Sequence, residues 1–275
     1  MSSVPATARL PRLEHTGRVT QLRVLKSEWT KLRSVRSTRW SFLAAVGFTI
    51  GIAVIACAVV SHHWPHMSAQ DRADFHPLEP NLAGVQLAQL ALGVLGVLVI
   101  TAEYSTGMIR ASMTAVPHRL PVLWGKVIVY GAVVLALMIP TVLIAFVIGE
   151  SIFSGRHINV GFTHPGVARA VFGAALYLTV VGLFGLGLGA IVRNTAGGIA
   201  TFAGLMFVLP PLMNVFPTSW NNAASPYLPL FAGQAIMSTG SGGNHLSPWV
   251  GLALLCGYAA AALAIASVLL VRRDT

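Results

Sequence analysis

The amino-acid sequence predicts an all-α integral membrane protein: six transmembrane helices preceded by an amphipathic elbow helix, with both termini in the cytoplasm. Three observations lead to this prediction. Of the 275 residues, 55 % are hydrophobic and only 9 % are charged, whereas a soluble domain carries about a quarter charged residues. Six apolar runs are long enough to cross a hydrocarbon core of roughly 30 Å as helices. Lysine and arginine are unevenly distributed among the segments that join these runs.

The six runs are predicted to form one transmembrane domain over residues 40–271, and they must be helical because lipid cannot satisfy exposed backbone groups. Arg193 and Asn194 form the polar break between the fourth run and the fifth. A charge at the membrane midplane costs roughly 3 kcal/mol, so this pair is predicted at a surface turn. Gly182, Gly185 and Gly189 predict a smooth helix face for close packing. The runs cover residues 40–60, 82–102, 122–149, 167–192, 196–215 and 248–271.

The distribution of basic residues predicts the orientation. If the N-terminus is cytoplasmic, 15 of the 18 lysines and arginines lie on the inner side, and the outer segments hold only Arg72, Arg156 and Arg169. The positive-inside rule therefore places both termini in the cytoplasm. Residues 1–17 lack the apolar core of a cleaved secretory signal and are predicted to be a disordered cytoplasmic tail. Residues 272–275 are predicted to be the second cytoplasmic tail.

Residues 18–39 have the pattern of an interfacial helix, the elbow helix. One apolar stripe recurs at spacings of three or four, while basic residues occupy the rest of the surface. Such a helix suits the inner headgroup plane. It serves either as a lipid anchor alone or also as a contact for a cytosolic partner. The residues selected for this role are Lys26, Glu28, Trp29, Lys31, Leu32 and Arg33.

The sequence contains no motif for a catalytic or metal site. No phosphate-binding loop of the form G-x-x-x-x-G-K-[ST] and no H-E-x-x-H occurs, so we expect no catalytic residue, metal or cofactor in this chain. The histidines and carboxylates of residues 61–80 have no regular ligand spacing, and a solvated loop is favoured over a metal site. Gln86, Gln89 and Asn214 lie in predicted spans, where they either form hydrogen bonds between helices or line a translocation path.

A polar segment separates the second and third runs. Because Glu103, Arg110 and Arg119 occur between two spans and Lys126 follows near the start of the third run, we expect this segment and its four charges to face water. Residues 103–119 read EYSTGMIRASMTAVPHR, and this segment resembles the first cytoplasmic loop of permease subunits of ABC-2-type exporters. In that family a glutamate ends the second span, a Gly-Thr-Leu-like triplet follows, and a proline–basic pair precedes the third span. Met108 departs from the common threonine. The segments KSEWTKLRSVRST (Lys26–Thr38) and SPYLPLFAGQAI (Ser225–Ile236) resemble the elbow helix and an external element of the same family.

The resemblance covers nearly the whole chain and implies an ATP-driven exporter in a bacterial plasma membrane. Two such permeases, as a homodimer or heterodimer, would assemble with separate cytosolic ATPases that bind the ATP and magnesium. No nucleic-acid partner is implied. Arg119 is equally well explained as a positive-inside anchor. The alternatives are a membrane anchor or sensor that recruits a cytosolic partner, and a membrane-embedded enzyme. The residues that the resemblance assigns to ATPase coupling are Glu103, Tyr104, Gly107, Met108, Ile109, Arg110, Pro117 and Arg119.

Overall fold

The computed structural model describes residues 21–105, 120–239 and 246–272. Within these ranges the chain is helical without strands, and six helices are long and apolar enough to cross a membrane. The predicted all-α, multi-pass architecture is therefore confirmed for the described residues. The predicted tail 1–17 lies outside them, as do residues 273–275.

Seven long helices form the body of the described chain, and short helices connect some of them. Helix α5 has the bounds predicted from the sequence, whereas α4 extends beyond the predicted run at both ends. The short helices Ala69–Ala73 and Leu78–Leu82 lie between α2 and α3, and Thr218–Ala224 and Pro229–Gln234 lie between α6 and α7. The long helices are α1 (Gln21–Ser34), α2 (Arg36–His63), α3 (Val85–Ser105), α4 (Leu120–Ser154), α5 (Val167–Val192), α6 (Thr195–Val215) and α7 (Pro248–Arg272).

The N-terminal helix ends before the predicted elbow segment does. Helix α1 ends at Ser34, and Val35 has an extended backbone with φ −78° and ψ 122°. The Ser34 hydroxyl donates to the Lys31 carbonyl at 3.0 Å, so a side chain satisfies a carbonyl of the last helical turn. Residues 36–39, assigned to the elbow from the sequence, instead begin α2.

Helix α5 is the centre of the bundle. It packs against α3, α4 and α7, while α2 lies against α3 and α4. The close approach of α3 and α5 depends on glycine: a Cβ added at Gly185 would collide with the Gly93 carbonyl oxygen, and one at Gly189 would lie 3.0 Å from Val97 Cα. A Cβ at Gly182 would lie 2.6 Å from the Tyr130 hydroxyl of α4. The glycine face predicted from the sequence is therefore the packing surface of the central helix.

Helix α6 begins at a sharp turn and is irregular in its middle, and different residues cause these two features. Arg193 adopts a left-handed conformation with φ 57°, and the Asn194 side chain accepts a 2.9 Å hydrogen bond from the Gly197 N–H. These two residues form the predicted turn between the fourth and fifth spans. Residues Gly204–Val208 then form a π turn, in which the Leu209 N–H reaches the Gly204 carbonyl. Pro210 and Pro211 follow at once and lack the N–H groups that would continue regular α-helical bonding.

We predict that Gly185→Ala destabilises the protein by about 1–3 kcal/mol, because the added methyl group forces α3 and α5 apart. The midpoint of thermal denaturation in detergent measures this effect. Gly257→Ala is the matched control, since no atom lies within 4 Å of a Cβ at Gly257 and alanine favours a helix by about 1 kcal/mol over glycine. Equal midpoints for the two variants would contradict the proposed packing.

Candidate functional site

Four charged side chains from three helices meet at one end of the bundle. They are Glu28 and Lys31 of α1, Glu103 of α3 and Lys126 of α4, and we call them the charge cluster. Glu28 and Lys126 are each 3 % exposed and Glu103 is 6 % exposed. The formal charges of the two acids and the two bases cancel. Four charges can be buried together in this way only if each is paired, because an isolated charge in a low-dielectric interior is strongly unfavourable.

Each lysine of the charge cluster contacts both carboxylates. Lys126 Nζ lies 2.6 Å from Glu28 Oε2 and 2.6 Å from Glu103 Oε1. Lys31 Nζ lies 2.7 Å from Glu28 Oε1 and 3.0 Å from Glu103 Oε1. All four distances fit charge-assisted hydrogen bonds. The cluster therefore ties α1 to α3 and α4 at the same point.

The local sequence allows α1 to reach this position. Val24, Glu28 and Leu32 recur every four residues, lie on one face of α1, and are all buried against the protein. On α4, Gly125 precedes the buried lysine, and a Cβ at Gly125 would lie 2.9 Å from Val24 Cγ1. A larger residue at Gly125 would thus push α1 away and lengthen the ion pairs.

The charge cluster also sets the protonation of Lys31. Burial alone would lower the pKa of Lys31, but hydrogen bonds and charge attraction from Glu28 and Glu103 outweigh it, so the pKa rises above its ordinary value. The contribution of Lys31 to stability is therefore complete below about pH 10.4, the ordinary lysine value, and is lost as the pH rises through the higher folded-state pKa. At neutral pH the ammonium stays charged and paired.

The expectation that the segment between the second and third spans faces water is wrong for two of its four charges. Glu103 and Lys126 are buried and pair with each other and with α1. The physical reason is mutual neutralisation, which permits burial that neither charge could sustain alone. The other predicted coupling residues lie outside the described residues, namely Gly107, Met108, Ile109, Arg110, Pro117 and Arg119.

Tyr104, the remaining coupling residue, lies beside a further basic side chain at this end. The Arg193 guanidinium is 5.3 Å from the centre of the Tyr104 ring, a cation–π distance. Arg193 also donates to the Leu269 carbonyl of α7 at 3.0 Å. We call this end of the bundle, which carries the charge cluster and Arg193, the basic end. Contacts there join the end of α3 to the ends of α5 and α7.

The six elbow residues selected from the sequence divide between two surfaces of α1. Glu28 and Leu32 are buried against the protein, and Lys31 is half-buried in the charge cluster. Lys26, Trp29 and Arg33 are exposed, with Trp29 49 % exposed. The apolar stripe is likewise divided, since Leu32 packs inward while Leu22 points away.

The polar residues proposed to line a path lie at the opposite end of the bundle, in two different settings. Gln89 is fully buried and accepts a hydrogen bond from the Tyr177 hydroxyl of α5. Gln86 accepts bonds from Gln89 and Gln234, both at 3.0 Å, and borders a cleft of about 510 Å³. Asn214 is exposed and accepts a 3.0 Å bond from Asn221 beside a smaller cleft of about 250 Å³. Gln89 thus joins helices, whereas Gln86 and Asn214 also reach open space.

A second polar contact joins three helices near that opposite end. Asn81 donates to Glu150 of α4 at 3.1 Å, and its carbonyl oxygen lies 3.4 Å from Cys57 Sγ of α2. Helix α4 is therefore held by polar contacts near both of its ends. Among the described residues, no three histidine, cysteine or acidic side chains come together as a possible metal site.

Sequence reasoning missed the role of Lys126 and the partners Tyr177 and Gln234. Lys126 carried a signal, because it is a lone charge within an apolar run, and such charges are normally paired. No sequence pattern indicates that Lys126 pairs with Glu28 and Glu103, because these acids lie 98 and 23 residues away along the chain. Neither family models nor the curated proteins provide a match to this chain.

We predict that Lys126→Met destabilises the protein by about 3–5 kcal/mol, because it leaves two buried carboxylates with one lysine between them. The double variant Lys126→Met/Glu103→Gln restores neutrality and should lose less stability than Lys126→Met alone. Thermal denaturation midpoints in detergent provide the comparison, with the exposed Arg272→Met as the control. A Lys126→Met midpoint equal to that of the control would show that the charge cluster adds no stability.

Proposed function

We propose that this chain is the membrane-spanning permease subunit of an ATP-driven exporter and that a separate cytosolic ATPase powers it. The observation that carries the proposal is the charge cluster, because it joins α1 to both helices that border residues 106–119. The six helices able to cross a membrane supply the body that such a subunit needs. The resemblance of residues 103–119 to an ABC-2 coupling loop supports the same assignment.

The mechanism follows from how the charge cluster distributes force. A push on residues 106–119 acts on the end of α3 and the start of α4, and the charge cluster passes that push to α1. Helices α3 and α4 then carry the displacement to the opposite end, where Gln86 and Glu150 make their polar contacts. ATP drives export if nucleotide and substrate favour different arrangements of this joined unit.

The predicted coupling residues take two roles in this proposal. Glu103 already contacts Lys31 and Lys126, so we assign it to transmission within the permease. The docking contact with the ATPase falls to the segment that includes Gly107 and Arg110. This division is compatible with the family resemblance and uses the buried position of the Glu103 carboxylate.

A second permease subunit is part of the proposal. Helices α2 and α6 are the least covered of the six membrane helices within one chain. Exposed apolar side chains on them include Leu43, Ile55 and Val208. Lipid can cover such surfaces, but a translocation path needs a second wall, which a partner subunit would supply. The proposed location is a bacterial plasma membrane with the basic end in the cytoplasm.

We predict that the affinity-purified chain brings an ATP-hydrolysing partner in fixed stoichiometry from its native membrane. The measurement is ATP hydrolysis by the purified complex in lipid nanodiscs, compared with the chain expressed alone. Gly107→Trp should insert normally but lose the partner, because the proposal assigns docking to the segment that includes Gly107. Gly161→Trp, an exposed position near the opposite end, is the matched control and should behave as wild type.

The outcomes separate the competing functions. A preparation without any ATP-hydrolysing partner would overturn the exporter proposal. A stoichiometric partner that hydrolyses no ATP would favour a membrane anchor that recruits a cytosolic protein. Full partner binding and hydrolysis in Gly107→Trp would move the docking site away from Gly107.

We predict that Asp74→Cys, in a background with Cys256→Ala, reacts with a membrane-impermeant maleimide in intact cells. Ser34→Cys, in the same background, should react only after lysis, because the proposed orientation places the basic end in the cytoplasm. Both positions are exposed, so reagent access within the protein is matched. The reverse labelling pattern would invert the orientation.

A further inference from the structure

We propose that a groove between α1 and α4 binds an anionic glycerophospholipid of the leaflet at the basic end. One acyl chain lies along α4, and the phosphate of the headgroup pairs with Lys26. This proposal requires only that the helices lie in a membrane and is independent of the exporter assignment.

The groove has the lining that an acyl chain requires. Its volume is about 730 Å³, and all of its lining residues are apolar except Lys26. Leu25 and Trp29 of α1 form one wall. On α4, Ala132 and Ala136 are both exposed and lie four residues apart, so they share a face whose small side chains leave a trough.

The length of the groove matches one leaflet. The α4 lining runs from Ile128 to Leu137, and nine steps at about 1.5 Å each span roughly 14 Å. Half of a hydrocarbon core of roughly 30 Å is about 15 Å. An acyl chain that enters at Lys26 therefore reaches close to the midplane within the groove.

The charge at the mouth of the groove favours an anionic headgroup. Glu28 is the only acidic residue of α1, and its carboxylate is already paired with Lys31 and Lys126. The ion pairs of the described residues include Lys31 and Lys126 but not Lys26. Among the described residues the exposed Lys26 ammonium therefore has no ion-pair partner and can bind a phosphate. The half-exposed Trp29 presents an indole suited to the headgroup level.

The experiment titrates the detergent-purified full chain with 1-palmitoyl-2-oleoyl phosphatidylglycerol or with phosphatidylcholine of the same chains. Native mass spectrometry measures the bound lipid. We expect the wild type to bind phosphatidylglycerol about fivefold more tightly, the factor for one lysine at an anionic surface. Lys26→Gln should remove the preference while phosphatidylcholine binding stays unchanged, and Lys26→Arg should restore it.

A second pair of variants tests the acyl-chain part of the site. Ala132→Leu/Ala136→Leu fills the trough and should weaken the binding of both lipids. Arg272→Gln and Ala261→Leu are the matched controls, because both positions are exposed on α7, and both should bind lipid as the wild type does. Denaturation midpoints equal to wild type verify that the exposed substitutions leave the fold intact.

Four results would overturn the proposal. The first is equal affinity of the wild type for the two lipids, and the second is an unchanged preference in Lys26→Gln. The third is full competition by inorganic phosphate, which would mark a simple anion site. The fourth is loss of dimers without loss of lipid in the trough-filled variant, which would assign the groove to a second copy of the chain.

Discussion

The neutralisation of Lys126 is the constraint on which the rest of this structure depends. Its side chain is 3 % exposed, and its ammonium lies 2.6 Å from a carboxylate oxygen of both Glu28 and Glu103. A carboxylate from α1 and another from α3 must therefore arrive at the same point on α4, which fixes three helices with one set of contacts. Apolar packing alone would not impose this geometry, because a helix that slides along its neighbour in lipid exchanges one set of apolar contacts for another at little cost in free energy. Removing one partner of a buried ion pair, by contrast, lowers the stability of the fold by about 3–5 kcal/mol.

Two kinds of contact therefore hold the bundle, and they act at different depths. Glycine faces bring α5 into backbone contact with α3 in the middle of the bundle, which gives a tight core without any charge. Polar contacts hold α4 near its two ends, through Lys126 at the basic end and Glu150 at the other. A helix that polar contacts hold at both ends transmits a displacement from one end to the other with less slippage than a helix held only by apolar packing. This arrangement gives the segment between α3 and α4 a physical connection to the far clefts.

Much of this fold could be predicted from the sequence, and the limits have a physical cause. The lengths and compositions of the apolar runs predicted the six spans. The spacing of Gly182, Gly185 and Gly189 within one helix predicted a packing face. The turn at Arg193 was predictable because a charge between two apolar runs has to reach a surface. The charge cluster was not predictable in this way. A count of charges considers each lysine separately and places it in water, whereas Lys126 is paired with residues of other helices. The division of the α1 stripe likewise depends on neighbours in other helices, which the sequence of α1 alone does not reveal.

Helix α1 shows how one short segment can serve two surroundings without conflict. Its inward face contributes Glu28 and Lys31, which belong to a set of four charges that sums to zero. A cluster with a net positive charge would itself attract lipid phosphate, and a net negative cluster would repel it. Because the sum is zero, the electrostatic character of the groove mouth is set by the outward Lys26 rather than by the buried group. The same helix can thus be fixed to the protein by Glu28 and Lys31 and bind the proposed lipid through Lys26.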